Sequence, residues 1–265
     1  MKLGIGGLPM NYEIIDFHTH PFGDSRSNIC AYTPSEMEDP VSYLKGLGIS
    51  RICGSVIYRA QPGQTPWEAI LESNRMALTL AKQYGGFYVP GFHVHPDHVQ
   101  ESCDEIERMH RLGVKLIGEL VPYRHGWQDY SCRNFDAILD TAAQYGMVVS
   151  LHSMDQDQMD IMVQRHPGVT LVAAHPGERA NFLRHLDRMA MSENYYLDLS
   201  GTGLFRHRML RHGIDTRGVH RFLFGSDYPT CNPAMFLGGV MLDSLLTESE
   251  KQQILSGNAK RLLML

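Results

Sequence analysis

The chain has 265 residues, 43% of them hydrophobic and 20% charged, with 24 Lys and Arg against 29 Asp and Glu for a formal charge of −5. That is an ordinary globular balance with ample chain for a sizeable core. No basic run is available to neutralise a phosphate backbone, and no stretch of about 20 apolar residues could span a bilayer, so neither nucleic acid nor a membrane is an expected partner.

Residues 1–11 read as an N-terminal extension to a single domain that occupies 1–265, and "MKLGIGGLPMNYEIID" lacks the sustained apolar segment of a signal peptide. The five cysteines are scattered with no C-x-x-C pair, as expected of free thiols in a reducing cytoplasm. Eight short apolar or β-branched runs then follow, predicting strands at 12–18, 51–58, 86–94, 114–121, 147–153, 169–175, 195–200 and 221–227. Helix-period segments alternate with them. "DPVSYLKGLGISRI" (39–52) predicts a first helix leading into the second strand. Residues 65–86 open on a Thr N-cap with Pro at the first helical position and close on Gly. The segments 97–113 and 134–146 start on Asp or Asn and end on Gly, 156–168 stops at Pro-Gly, and the last helices span about 233–263.

Eight strands alternating with about eight helices predict an α/β fold of the (β/α)8 barrel type. An open doubly wound sheet would need a glycine-rich phosphate loop after the first strand, where "HTHPFGD" stands instead. "GIGG" (4–7) precedes that strand and fits no such fingerprint. The two longest connections, 21–40 and 122–133, follow strand C-termini, where a barrel builds its site.

The 14 histidines include two H-x-H pairs, His18/His20 and His93/His95, about as many as chance supplies. The first pair gains weight from its place at the end of a strand, where alternate side chains share a side and can converge on one ion. It gains more from company. His152 ends the fifth strand, His175 the sixth and Asp227 the eighth, while Glu119 closes the fourth. A barrel brings all these ends to one face, and imidazoles with carboxylates there make a zinc-type site, or a softer manganese or iron site. His93/His95 is expected to shape the rim instead of binding metal.

At these residues the chain resembles the amidohydrolase superfamily, in its amidohydrolase-2 (amidohydrolase-related) branch. "DFHTHPF" is similar to that family's first-strand motif, "LHSM" and "AAHPG" to its fifth- and sixth-strand histidines, "RFLFGSDYP" to its eighth-strand aspartate motif, and "ILSGNAKRLLML" to its closing helix. The resemblance implies a divalent metal, usually zinc, held by His18, His20, His152 and Asp227. His175 would bind metal or act on substrate. Many superfamily members carry a carboxylated lysine at the end of strand 4; Glu119 stands there, which could bridge two ions as in TatD-like nucleases. Yet the chain has Gly225-Ser226-Asp227 where TatD-like enzymes have Glu-Thr-Asp, so one or two ions remain open.

The expected reaction is hydrolysis, with metal-activated water attacking a lactone, ester or amide carbonyl, Asp227 accepting the proton and His175 polarising the carbonyl or shuttling a proton. Arg59, Tyr123, Arg124, His125 and Arg179 follow strand ends and suit an anionic, carboxylate-bearing small molecule; Trp127 and Tyr228 either wall the pocket or pack. The alternative is a non-oxidative decarboxylase of the same branch, in which the ion holds the substrate's carboxylate and a neighbouring oxygen. A TatD-like phosphoesterase comes next, disfavoured by the net negative charge. A binding protein without turnover would predict a missing ligand, and none is missing. A homo-oligomer stays open.

Overall fold

A computed structural model describes residues 12–30, 39–203 and 206–265. The expected N-terminal extension, 1–11, lies outside the described residues. Eight parallel strands lie side by side in sequence order. They are β1 Ile15–Thr19, β2 Arg51–Ser55, β3 Tyr88–Phe92, β4 Leu116–Leu120, β5 Val148–His152, β6 Thr170–Ala174, β7 Tyr195–Asp198 and β8 Phe222–Leu223. The last strand is short, but the chain beyond it returns to the first. The Phe17 amide donates to the Phe224 carbonyl at 2.9 Å, the Asp227 amide to the His18 carbonyl at 2.8 Å and the His20 amide to the Tyr228 carbonyl at 2.7 Å. These bonds bring the sheet round into a (β/α)8 barrel, in one domain.

Helices α1 Pro40–Gly46, α2 Pro66–Tyr84, α3 Val99–Arg111, α4 Arg133–Gln144, α5 Gln156–Arg165, α6 Arg179–Met191, α7 Met209–Arg217 and α8 Pro233–Met241 follow the strands in turn. Two more, α9 Glu248–Gln252 and α10 Asn258–Leu263, close the chain. Helix α2 starts as expected: Thr65 caps it, and Glu68 completes a reciprocal capping box. Two other starts shift. Helix α3 begins after His98, not on Asp97, and α4 after Cys132, neither with a side-chain cap.

Strands covered on the outside by helices and filled on the inside need apolar residues at successive positions, which is why their sequences run continuously apolar. Ile15, Phe17, Cys53, Leu116, Val148, Val172, Tyr196 and Leu223 meet in one buried cluster with partly buried Val89, so every strand contributes. Such a meeting is possible only inside the barrel. Ala259 and Leu263 of α10 join the same cluster and close it off. Irregular pairing between Asp16 and Thr19 in β1, and between Ile117 and Leu120 in β4, interrupts the ladder just where polar side chains take over. A bulge of this kind re-aims the side chain that follows.

Candidate metal centre

His18, His20, Glu119, His152, His175 and Asp227, drawn from five strand ends, meet at one place. The Nε2 atoms of His18 and His20 lie 3.2 Å apart. Glu119 Oε2 is 3.4 Å from the first and 3.3 Å from the second. Asp227 Oδ1 lies at 3.6 and 3.5 Å from the same two nitrogens. The other Glu119 oxygen, Oε1, is 3.0 Å from His152 Nδ1 and 3.6 Å from His175 Nε2. Glu119 therefore sits between two histidine pairs with one oxygen directed at each. His18, His20 and Glu119, and separately Glu119, His152 and His175, have ligand atoms close enough to share an ion.

The residues behind this set fix its tautomers. His18 Nδ1 is 2.9 Å from Asp198 Oδ2, a carboxylate that can only accept, so Nδ1 carries the proton. His20 Nδ1 is 3.0 Å from the Ser55 carbonyl, with the same consequence. The Nε2 atoms, facing inward, are thus the ones left to bind a metal, which at His18 displaces a proton. Ser200 Oγ lies 2.9 Å from His18 Nδ1 and 3.0 Å from His175 Nδ1 and bonds Asp198 as well. Sequence reasoning passed over Asp198 and Ser200. The available signal was the one used elsewhere, a polar residue closing an apolar strand, in "YYLDLS".

The backbone is shaped to fit. His175 and Asp227 have φ of 68° and 62°, a left-handed conformation that non-glycine residues adopt at a cost and that recurs at functional sites. Gly201, at φ 62°, lies under the His175 ring, and a Cβ there would stand 2.2 Å from Nδ1. At Gly225 a Cβ would come within 2.8 Å of the His18 Cβ.

Burial opposes protonation of His18, but the Glu119 and Asp198 carboxylates outweigh it and hold its pKa well above the usual value. Burial would raise the pKa of Glu119; His18 and His152 reverse that and hold it well below the carboxylate range. Burial lowers the pKa of His175, leaving a neutral ring. Buried carboxylates held ionised among imidazoles form a nest for positive charge, and the donor set of imidazole nitrogens and carboxylate oxygens fits a divalent cation.

The remaining candidates divide. Arg59, Tyr123, Arg124 and His125 line a cavity of about 530 Å³ above β2 and β4. Tyr123 reaches the centre, with its ring 5.5 Å from that of His152. Arg179 lies elsewhere, in a separate cavity beside α6 and α7. Trp127 packs against Tyr130 and Phe135, and Tyr228 against Tyr43. His93 Nε2 is held by the Val56 carbonyl at 2.9 Å and His95 Nε2 by the His125 carbonyl at 3.0 Å, so neither joins the cluster.

No curated protein matches the sequence. Among solved structures, a 2,6-dihydroxybenzoate decarboxylase complexed with 2,6-dihydroxybenzoate is similar at 16% identity, TM-score 0.74, covering 96% of this chain and 99% of its own. A 5-carboxyvanillate decarboxylase from Sphingomonas paucimobilis is similar at 15% identity, TM-score 0.71, covering 96% and 99%. A dihydroxybenzoic acid decarboxylase from Polaromonas sp. JS666, with bound manganese and the inhibitor 2-nitroresorcinol, is similar at 14% identity, TM-score 0.70, covering 96% and 97%. At such identities the likeness is one of fold. The amidohydrolase family profile matches residues 15–265. With that match spanning nearly the whole sequence and the motif histidines and aspartate gathered at one mouth of the barrel, the chain belongs to the amidohydrolase family.

Proposed function

We propose that the protein is a metal-dependent, non-oxidative decarboxylase of a small aromatic carboxylic acid. The observation that carries the reading is a buried His–carboxylate centre with a cavity lined by Arg59, Arg124 and Tyr123 beside it, the Tyr123 ring 5.5 Å from that of His152. The three decarboxylases that share its fold support it over hydrolysis. His18, His20, His152 and Asp227 would hold the ion, with Glu119 bound to it or bridging a second. When bound, a divalent cation supplies a Lewis acid that anchors a carboxylate and an adjacent oxygen. Zinc and manganese both suit this donor set, and the Polaromonas structure holds manganese.

The chain's own groups then have distinct tasks. Arg59 and Arg124 draw the anionic substrate to the mouth, and the Tyr123 ring stands beside its path. As the bond to the carboxyl carbon breaks, its electron pair stays on the substrate carbon and CO2 leaves. A proton taken from solvent and passed through Asp227 replaces CO2 at that carbon, and His175, bonded to Ser200, orients the substrate oxygen. Hydrolysis is the second reading, because Asp227 Oδ1 is equally placed to accept a proton from water attacking a lactone, ester or amide carbonyl.

One assay separates the two. Purified protein is analysed for metal, then given hydroxybenzoic acids, lactones, esters and amides, with CO2 and acid release scored independently. CO2 from a hydroxybenzoic acid, lost on chelation and restored by zinc or manganese, is expected. Acid release without CO2 would transfer the assignment to hydrolysis. Metal stoichiometry, one or two per chain, reports whether Glu119 bridges.

A further inference from the structure

A second cavity, of about 600 Å³, lies between the starts of α6 and α7, with Arg179, Arg208, His207 and His212 at its rim and Phe182 and Met209 beneath them. We infer that it is a second ligand site, one that takes a small organic dianion (two carboxylates, or a phosphate, on an apolar body). The first reason is its unspent positive charge. The other arginines of these two helices are engaged. Arg184 pairs with Asp157 and Asp160, Arg188 with Asp160 and Gln156, and Arg211 with Glu250 and Asp215, while Arg217 donates to the Leu186 carbonyl. Among the described residues, Arg179 and Arg208 have no such partner. Glu178, the N-cap of α6, is taken by Arg206.

The second reason is the backbone. Arg179 is the first residue of α6 and Arg208 the N-cap of α7, and neither helix start is capped by a side chain. The Met209 amide is taken by the Arg206 carbonyl at 3.2 Å, the amides that follow in each first turn have no side-chain cap, and both positive ends face the same cavity. Planar guanidinium groups recognise carboxylate and phosphate with paired hydrogen bonds. The third reason is the floor. Phe182 and Met209 are buried and apolar, so a bare inorganic ion would leave that surface unused, whereas a ring or short chain would cover it.

This cavity is separate from the one holding Arg59 and Arg124, which opens above β2 and β4. It should therefore fill without metal. The test is calorimetric titration at low ionic strength of metal-loaded and metal-stripped protein with phthalate and with phenyl phosphate, with benzoate as the single-charge control. One saturable site is expected in the stripped form, at least about tenfold tighter for the dianions than for benzoate, and it persists in the loaded form beside any binding at the metal centre. R179Q with R208Q should weaken it by about tenfold or more at an unchanged melting temperature. R59Q with R124Q should leave it as it was. Absence of a saturable site would overturn the inference. So would loss of binding in R59Q/R124Q or in stripped protein, or indifference to R179Q/R208Q.

Discussion

His18 is gripped from behind, with Asp198 Oδ2 2.9 Å from its Nδ1 and Ser200 Oγ at the same distance. Removing the carboxylate while keeping the shape frees the ring to turn or to take the wrong tautomer. Asp198→Asn should weaken metal binding by about ten- to hundredfold, measured by competition with a chromogenic chelator. Unchanged affinity would mean that Asp198 only fills space. His18→Ala should lose both metal and turnover; retention of both would refute the whole centre. Because the carboxylates hold the His18 pKa well above its usual value, a cation must displace a proton there. Apparent affinity should therefore rise with pH across the neutral range, and a flat profile between pH 6 and 8 would contradict the geometry. At this scale the histidines and Asp227 were legible because each closes an apolar run. Asp198 and Ser200 were not, because their role lies in contact with His18, about 180 residues away in sequence.

The elements show why strand positions were readable and the aim of particular side chains was not. Apolar runs mark all eight strands, since both faces are covered. Strict alternation fails in β1 and β4, where the pairing is irregular and the direction of His18 and Glu119 follows from the bulge. The expected strand 221–227 shrinks to Phe222–Leu223 because the following residues serve closure instead. Ser226 donates from its amide (2.9 Å) and hydroxyl (2.6 Å) to Asp16, a fully buried carboxylate on β1. That clamp joins the first strand to the last where the ladder is thinnest. Ser226→Ala leaves a buried acceptor short of one bond and should cost about 2 kcal/mol, read as a fall in melting temperature of roughly 5 °C. Thr65→Ala, which removes the α2 cap far from the barrel seam, should cost about 1 kcal/mol and leave metal content unchanged. Equal losses from the two would mean that the seam carries no special burden.

Over the whole molecule, the barrel keeps several imidazoles in an interior that disfavours charge. Among the described residues no helix is long and apolar enough to cross a membrane. Burial pushes His93 down to about 4 and His185 to about 3, and His125 well below its usual value. In the unfolded chain each returns to about 6.5. Between these limits the unfolded chain binds more protons than the folded one, so stability rises with pH; it is intact above about 6.5 and drains away as the pH falls toward 4. Asp16 has the opposite sign. Burial raises it from 3.8 to about 7, so its contribution is present at low pH and is lost as the pH climbs through 7. His18, also raised, adds to that alkaline loss. Below pH 6.5 the displacements of His93 and His185 together exceed that of Asp16, and the net slope is set by the histidines. The melting temperature of metal-stripped protein should fall steadily from pH 6.5 to 4.5; stripping separates this effect from proton-driven release of the ion. Replacing His93 by Gln keeps a donor for the Val56 carbonyl but removes the titrating ring. The variant should melt with a shallower pH slope than the parent. A parent that melts at one temperature across this range, or a variant with the parent's slope, would show that the buried imidazoles do not govern acid stability.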